Sequence, residues 1–460
     1  MNPWKSVTLL LLLGGHTAYA QTSLPVIQSN VKEIEYTIDG KKGSWNIVPE
    51  AKPDILEVPV GVKQKSRVTF KTDVDSVTYT VKLDQKINFI VLLKGDSAHT
   101  QIAGVPKNVN FSSSYIKKHK GKFDVEIPEV QELAKIMVAI SKVGSTDSNM
   151  TNMRTPYYQE VKAHFTPFRN HPVIDTINQY IKDQNESSYW HYYGWKMNAN
   201  AYTFTKEGKI VNKGVIRKMG FTNPADPFIK HADLVADFAK KSGFRQFYTA
   251  HKPYYDSSLK TYLKYNPLQE MKAWAELHFP FKYDYYLITY SPLTGGAHST
   301  QGYEDNGFNQ TVMYIAGVNI NPNYNEAVNE MLNSRVVFTE IDHNYVNPTA
   351  DKYLKEINEA MKDKNKWGKG LIDNSHYTSP YNLFAEYMTW GVFSLYCLDK
   401  FKESDVLTFL DRMEPQMEQR RGFNNFKAFN RELMRLYLQY KKTKKAHELF
   451  PEMLEWCKKQ

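Results

Sequence analysis

The residues best suited to chemistry lie together at 338–348, which read Phe338-Thr339-Glu340-Ile341-Asp342-His343-Asn344-Tyr345-Val346-Asn347-Pro348. In a zinc-peptidase helix of the form H-E-x-x-H, two histidines four residues apart share one helical face and hold the metal. The glutamate beside the first histidine takes a proton from the metal-bound water. Glu340 and His343 occupy the glutamate and second-histidine positions, and Thr339 stands where the first histidine would be. Zinc is bound by imidazole, thiolate or carboxylate, so a threonine hydroxyl is a poor replacement. Three arrangements stay open. The site is without metal and the fold serves binding; or His298 or His376 supplies the missing ligand; or Glu340 itself becomes a ligand, as Glu-x-x-His pairs do in helical bundles. Asp342 is a weaker option because it points elsewhere around the helix. On spacing alone, Glu-x-x-His is also the pattern of a salt bridge.

Further along, Glu386 sits among Leu383, Phe384, Ala385, Tyr387 and Met388. A carboxylate in such an apolar helix is costly unless it is paired or holds a metal. A glutamate on the following helix is the third ligand in gluzincin-type metallopeptidases; a salt bridge or a hydrogen bond to tyrosine is the plainer explanation. The stretch Gly295-Gly296-Ala297-His298 precedes a strand expected at 310–317. Either the strand or residues 295–300 could take up an extended substrate by strand addition, and His298 could steady an oxyanion. The aromatic cluster Tyr189, Trp190, Tyr192, Tyr193 and Trp195 would suit stacking against a peptide or glycan.

The elements that must position these groups follow from periodicity. Alternation at 68–72 and 77–81, an apolar run at 88–93, and turn signals at Asp39-Gly40 and Lys94-Gly95 predict a β-sandwich over 21–125, ending in connector at 105–122. Helical spacing then appears at 128–140, 172–182 and 226–242. Strands are expected at 283–290 and 310–317. A long helix is expected from 326 to 344, stopped by Asn347-Pro348. Helices at 353–362, 381–393, 404–420 and 424–441 complete a second domain at 126–460. The class is α+β, with a helix-rich C-terminal half.

The segment from Glu126 to the C-terminus resembles a family of uncharacterised exported bacterial proteins, a domain of unknown function whose helix reads H-E-F-x-H-x-F-V-N-P. The match is Glu340, His343 and Val346-Asn347-Pro348, with Tyr345 for the aromatic and Thr339 for the first histidine. The resemblance implies a zincin-like, gluzincin-type fold and a zinc metallopeptidase. It casts Glu340 as general base, His343 as a ligand and Glu386 as a further ligand.

Residues 1–20 have the parts of a cleavable signal peptide: Lys5, an apolar run from Val7 to Leu13, and Ala18-Tyr19-Ala20 before the cut. No cysteine follows that run, and no later stretch is long and apolar enough to span a bilayer. The expected location is periplasmic or extracellular, with no integral membrane segment after cleavage. The chain has 460 residues, a net charge of +10 and basic residues scattered along it, so no nucleic-acid module stands out. Cys397 and Cys457 are too few for a disulfide scaffold, though their helices could be bridged. No Gly-x-Ser-x-Gly elbow or Walker loop is present. The sequence therefore predicts an exported metal-dependent hydrolase acting on a peptide or protein, with zinc as cofactor. The alternative is a catalytically inactive peptide- or glycan-binding protein on the same fold.

Overall fold

The computed structural model describes residues 24–61, 64–182, 189–220, 226–368 and 379–460. The expected signal segment 1–20 and His376 lie outside them. The chain divides into two compact units, one ending at Asn108 and the other beginning at Val109.

The first unit is all β. Its strands are β1 (Val26–Gln28), β2 (Glu33–Ile38), β3 (Lys41–Asn46), β4 (Asp54–Val60), β5 (Lys65–Lys71), β6 (Ser76–Lys82), β7 (Lys86–Leu93) and β8 (Asp96–Pro106). They form two four-stranded sheets, ordered β1-β7-β8-β4 and β3-β2-β5-β6. Alternation decides which side chains turn inward. Leu56, Val58 and Val60 of β4, Val68 and Phe70 of β5, and Phe89 and Val91 of β7 enter one shared apolar core with Trp45. Asp39-Gly40 makes a two-residue hairpin with Ile38 opposite Lys41. Both turn residues have positive φ, 49° and 86°, which this tight turn requires and which Asp and Gly tolerate.

The second unit is mixed. Its strands are β9 (Lys122–Glu126), β10 (Tyr202–Phe204), β11 (Ile210–Asn212), β12 (Tyr285–Tyr290), β13 (Ser299–Asp305) and β14 (Phe308–Ile315). The main sheet has the order β13-β14-β12-β9, parallel except for β13, which runs antiparallel to β14. Both faces of its centre are buried. Tyr286, Ile288, Met313 and Ile315 face the large helical core, while Tyr285, Val312 and Tyr314 face a second cluster. That two-sided burial is why β12 and β14 read as near-continuous apolar runs. β9 explains a boundary shift. The sequence places a connector at 105–122 and ends the first domain at 125, but Lys122–Glu126 pairs with β12, and Ser113–His119 is helical.

The long helix runs from Glu326 to Ala350, further than the stop expected at Asn347-Pro348. Asn325 caps it, accepting from the Val328 amide at 2.9 Å. Pro348 cannot donate to the Asn344 carbonyl, but the Tyr283 hydroxyl does so at 3.2 Å. The tertiary partner replaces the bond that proline removes, and the helix continues. It packs along the helix Pro380–Lys400, where Phe338 meets Phe393 and Tyr396. Cys397 and Cys457 are both free and buried, so the bridge considered from sequence is not made. Among the described residues, no helix is long and apolar enough to cross a membrane.

Candidate functional site

Two helices bring the sequence-predicted groups together. Glu340 and His343 lie three residues apart on the Glu326–Ala350 helix, so they share a face. Glu386 projects from the Pro380–Lys400 helix, and its Oε2 lies 3.7 Å from His343 Nε2. The other imidazole nitrogen is flanked on both sides. His343 Nδ1 is 3.4 Å from Asn347 Oδ1 and 3.5 Å from Thr389 Oγ1. These long contacts orient the ring and leave Nε2 to Glu386.

Glu386 is 4% exposed and is held by two groups that the sequence reading did not assign a role. The Arg421 guanidinium is 2.7 Å from Oε1, and the Trp390 indole donates to the same oxygen at 2.9 Å. Burial by itself would raise the Glu386 carboxyl. Arg421 and then His343 outweigh it, together with the hydrogen bonds, and hold the group below its ordinary value. Arg421 follows a π-helical turn, Gln416–Arg420, and its amide bonds the Gln416 carbonyl at 3.2 Å. The wider winding sets the guanidinium between the rings of Trp390 and Phe423, 5.1 Å from each centroid. The only local sign of this residue in the sequence is Arg420-Arg421-Gly422 after a helix, which reads as an ordinary helix end.

Glu340 has the opposite balance. Burial raises its carboxyl; His343, Lys196 and Arg421 pull it down, and Glu386 pushes it up, leaving it above its ordinary value. Lys196 is fully buried and donates to the Ala297 carbonyl at 2.7 Å, with Nζ 4.9 Å from the centre of the Tyr193 ring. Burial, then Lys135, pushes its ammonium well below the usual range, while Glu340 acts the other way. Tyr193 is raised to about 12, by burial first and then by Glu340. Tyr189, Trp190 and Tyr193 are half-buried on the helix Tyr189–Asn198, while Tyr192 and Trp195 are core. The aromatic cluster is thus part core packing and part half-buried surface.

Thr339 is 5% exposed and donates its hydroxyl to the Val336 carbonyl at 3.0 Å, within its own helix. Among the described residues, no hydrogen bond or ion pair joins His298 to His343 or Glu386. His298 Nδ1 accepts from the Ala316 amide at 3.3 Å, and the residue lines a cavity with Arg335. Burial, reinforced by Lys196 and other cations, drives it to about 3, so it is neutral. An oxyanion role for His298 beside Glu340 has no contact to support it. Residues 295–297 are not open to a substrate strand either. The Gly296 and Ala297 amides already bond the Ser148 and Asn149 carbonyls. A Cβ on Gly295 would lie 2.2 Å from the Ser148 oxygen, so glycine is required there by packing. β14 is paired on both sides, whereas β13 is the outer strand of the sheet among the described residues. Asp342 faces the interior with both carboxylate oxygens lacking a hydrogen bond. Burial, then Glu386 and Glu340, holds it well above the ordinary carboxylate range.

A catalytic zinc uses three protein ligands and one open position. His343 Nε2 and Glu386 Oε2 are close enough to share a cation, but Thr339 is turned onto its own helix. The Arg421 guanidinium already neutralises Glu386. Among the described residues, no group of three or more His, Cys, Asp or Glu is arranged to hold a metal. The described donors therefore do not fit a catalytic zinc, and His376 lies outside them.

No protein-family model, curated protein or solved structure matches the chain.

Proposed function

We propose that this is an exported peptide-binding protein in which a zincin-like helix pair is kept without a working metal. The observation that carries the reading is the Arg421–Glu386 pair at 2.7 Å. A fixed guanidinium supplies beside the glutamate the positive charge that a metal would otherwise bring. Glu386 is thereby satisfied as a structural carboxylate. β13 supports a peptide over a glycan, because an outer strand can extend its ladder with another backbone. Tyr193, with the rings of Tyr189 and Trp190 beside it, offers a half-buried aromatic surface suited to stacking.

One observation favours a second reading, a zinc metallopeptidase. His343 and Glu386 converge to 3.7 Å, as two ligands of one ion would. This reading needs a further ligand from outside the described residues, such as His376. Metal analysis separates the two. The binding reading expects mature protein without stoichiometric zinc, a melting temperature unchanged by chelator, and saturable binding of extended peptides without cleavage. Near-stoichiometric zinc that is lost in His343→Ala, with peptide cleavage lost alongside it, overturns that reading and upholds the second.

A further inference from the structure

The long helix carries a second unusual group, one and a half turns before Glu340. Arg335 Nε is buried and has no hydrogen-bond partner. The charges that act on Arg335 are themselves cations. Burial, then Arg412 and Arg421, lowers its guanidinium to about 10. Arg335 as a whole is half-buried, and a partly desolvated cation is one that folds normally answer with a carboxylate. Here none of the lining residues is acidic. Arg335 sits between an inner cavity of about 170 Å³ and an outer one of about 290 Å³, and neither is lined by Asp or Glu.

The inner cavity has further unanswered polar groups. Tyr262 is 1% exposed and Asn266 is 2% exposed, and both line it. The Tyr262 hydroxyl and Asn266 Oδ1 are buried without a hydrogen bond. Asn266 Nδ2 is committed to the Tyr262 carbonyl at 2.8 Å, which leaves Oδ1 as the acceptor. The wall is stiff. Asn333 on the long helix accepts from the Asn319 amide at 2.7 Å and donates to the Asn319 carbonyl at 3.1 Å. Asn329 accepts from the Asn321 amide at 2.8 Å. The loop after β14 is therefore strapped to the helix on one side of Arg335. His298, neutral and fixed by the Ala316 amide, completes the polar lining.

We propose that this cavity binds the carboxylate of a small hydroxy or amino acid. Arg335 is the counter-ion, Tyr262 donates a second hydrogen bond, and Asn266 Oδ1 accepts from the ligand's hydroxyl or ammonium. A guanidinium matches a carboxylate with parallel N–H bonds. A monoanion is favoured because the inner wall holds one fixed cation, so a second negative charge would be left uncompensated. The inner volume lies below the roughly 300 Å³ at which drug-sized sites begin. A ligand of a few heavy atoms fits, with any extension passing the exposed Arg412 at the outer cavity. This assignment concerns a different set of side chains from the peptide reading and does not depend on it.

The test uses the full mature chain and sodium glycolate, acetate, glycine and inorganic phosphate as probes, at constant ionic strength. Melting temperature and calorimetric titration are the readouts. Glycolate or glycine should raise the melting temperature saturably, and acetate should bind more weakly because it leaves Asn266 unanswered. Arg335→Gln should weaken binding by about tenfold or more, the worth of a charged hydrogen bond. It should not lower the melting temperature of the ligand-free protein, because the charge it removes is half-buried and has no carboxylate beside it. Tyr262→Phe should weaken binding several-fold while the fold is kept, so the proposal does not rest on one variant. The absence of saturable carboxylate binding, binding indifferent to both substitutions, or phosphate binding as tight as the carboxylates would each overturn the assignment.

Discussion

Arg421→Met removes the cation from Glu386 and keeps much of the side-chain volume. Loss of one partner from a buried pair costs about 3–5 kcal/mol, because the other charge is left without compensation. The Glu386 side chain is 5% exposed, but Arg421 is 27% exposed, so water already screens part of the interaction. The expected loss is therefore about 2–3 kcal/mol at neutral pH. Its pH dependence is more telling than its size. In the parent protein, the folded Glu386 carboxyl lies below its ordinary value. It adds stability above an unfolded value of about 4.3 and loses it as pH falls through the lower folded value. With Arg421 gone, burial leads, and the folded carboxyl moves above the unfolded value. The group then costs stability as pH rises past about 4.3. The gap between parent and variant should begin to open below about pH 4.3, as the parent carboxyl ionises, and widen as pH rises above it. Urea unfolding followed by tryptophan fluorescence measures it. This signal reports chiefly on the second unit, because Trp45 is the one tryptophan in the described part of the first. Adding Glu386→Gln should recover most of the loss. A gap under about 1 kcal/mol that stays flat with pH would refute the reasoning. So would a double variant that loses the sum of both single changes.

Asp342→Asn should stabilise the protein increasingly as pH rises. The parent carboxyl is raised by burial, so it costs stability above its unfolded value. The advantage should grow by up to about 1.4 kcal/mol per pH unit until the folded group ionises, as read from urea midpoints at several pH values. Tyr283→Phe strips the Asn344 carbonyl of its replacement donor before Pro348. It should cost about 1 kcal/mol and speed amide exchange in the last turn of the long helix, whereas exchange unchanged there would rule out the tyrosine as its support. Cys397 and Cys457 should resist an aromatic disulfide reagent in the native state and both react once unfolded, since burial raises each thiol. Rapid native labelling of either would contradict their placement.

Much of the scaffold was legible from local pattern. The period-two alternation of β5 and β6, the Asp39-Gly40 turn and the apolar runs of β12 and β14 each reflect a local requirement of one strand or turn. The helices at 128–140 and 172–182 were equally plain from their spacing. Spacing placed Glu340 and His343 on one helical face and burial demanded a partner for Glu386, whereas the approach of His343 to Glu386 was expected only from the resemblance to gluzincin-type metallopeptidases. What the sequence could not supply was the identity of that partner. Arg421 arrives through a π-helical turn, which has no strong residue signature. Tertiary contact also overrode two local signals. Pro348 did not end its helix because Tyr283 took over the freed carbonyl, and residues 122–126 became a strand because β12 offered an edge. The sequence by itself determined most of the helices and strands and the shared helical face of Glu340 and His343. Only the tertiary structure decided that a guanidinium answers Glu386 and that Arg335 is left unanswered, because charge compensation in an interior depends on which distant side chains are brought within a few ångströms.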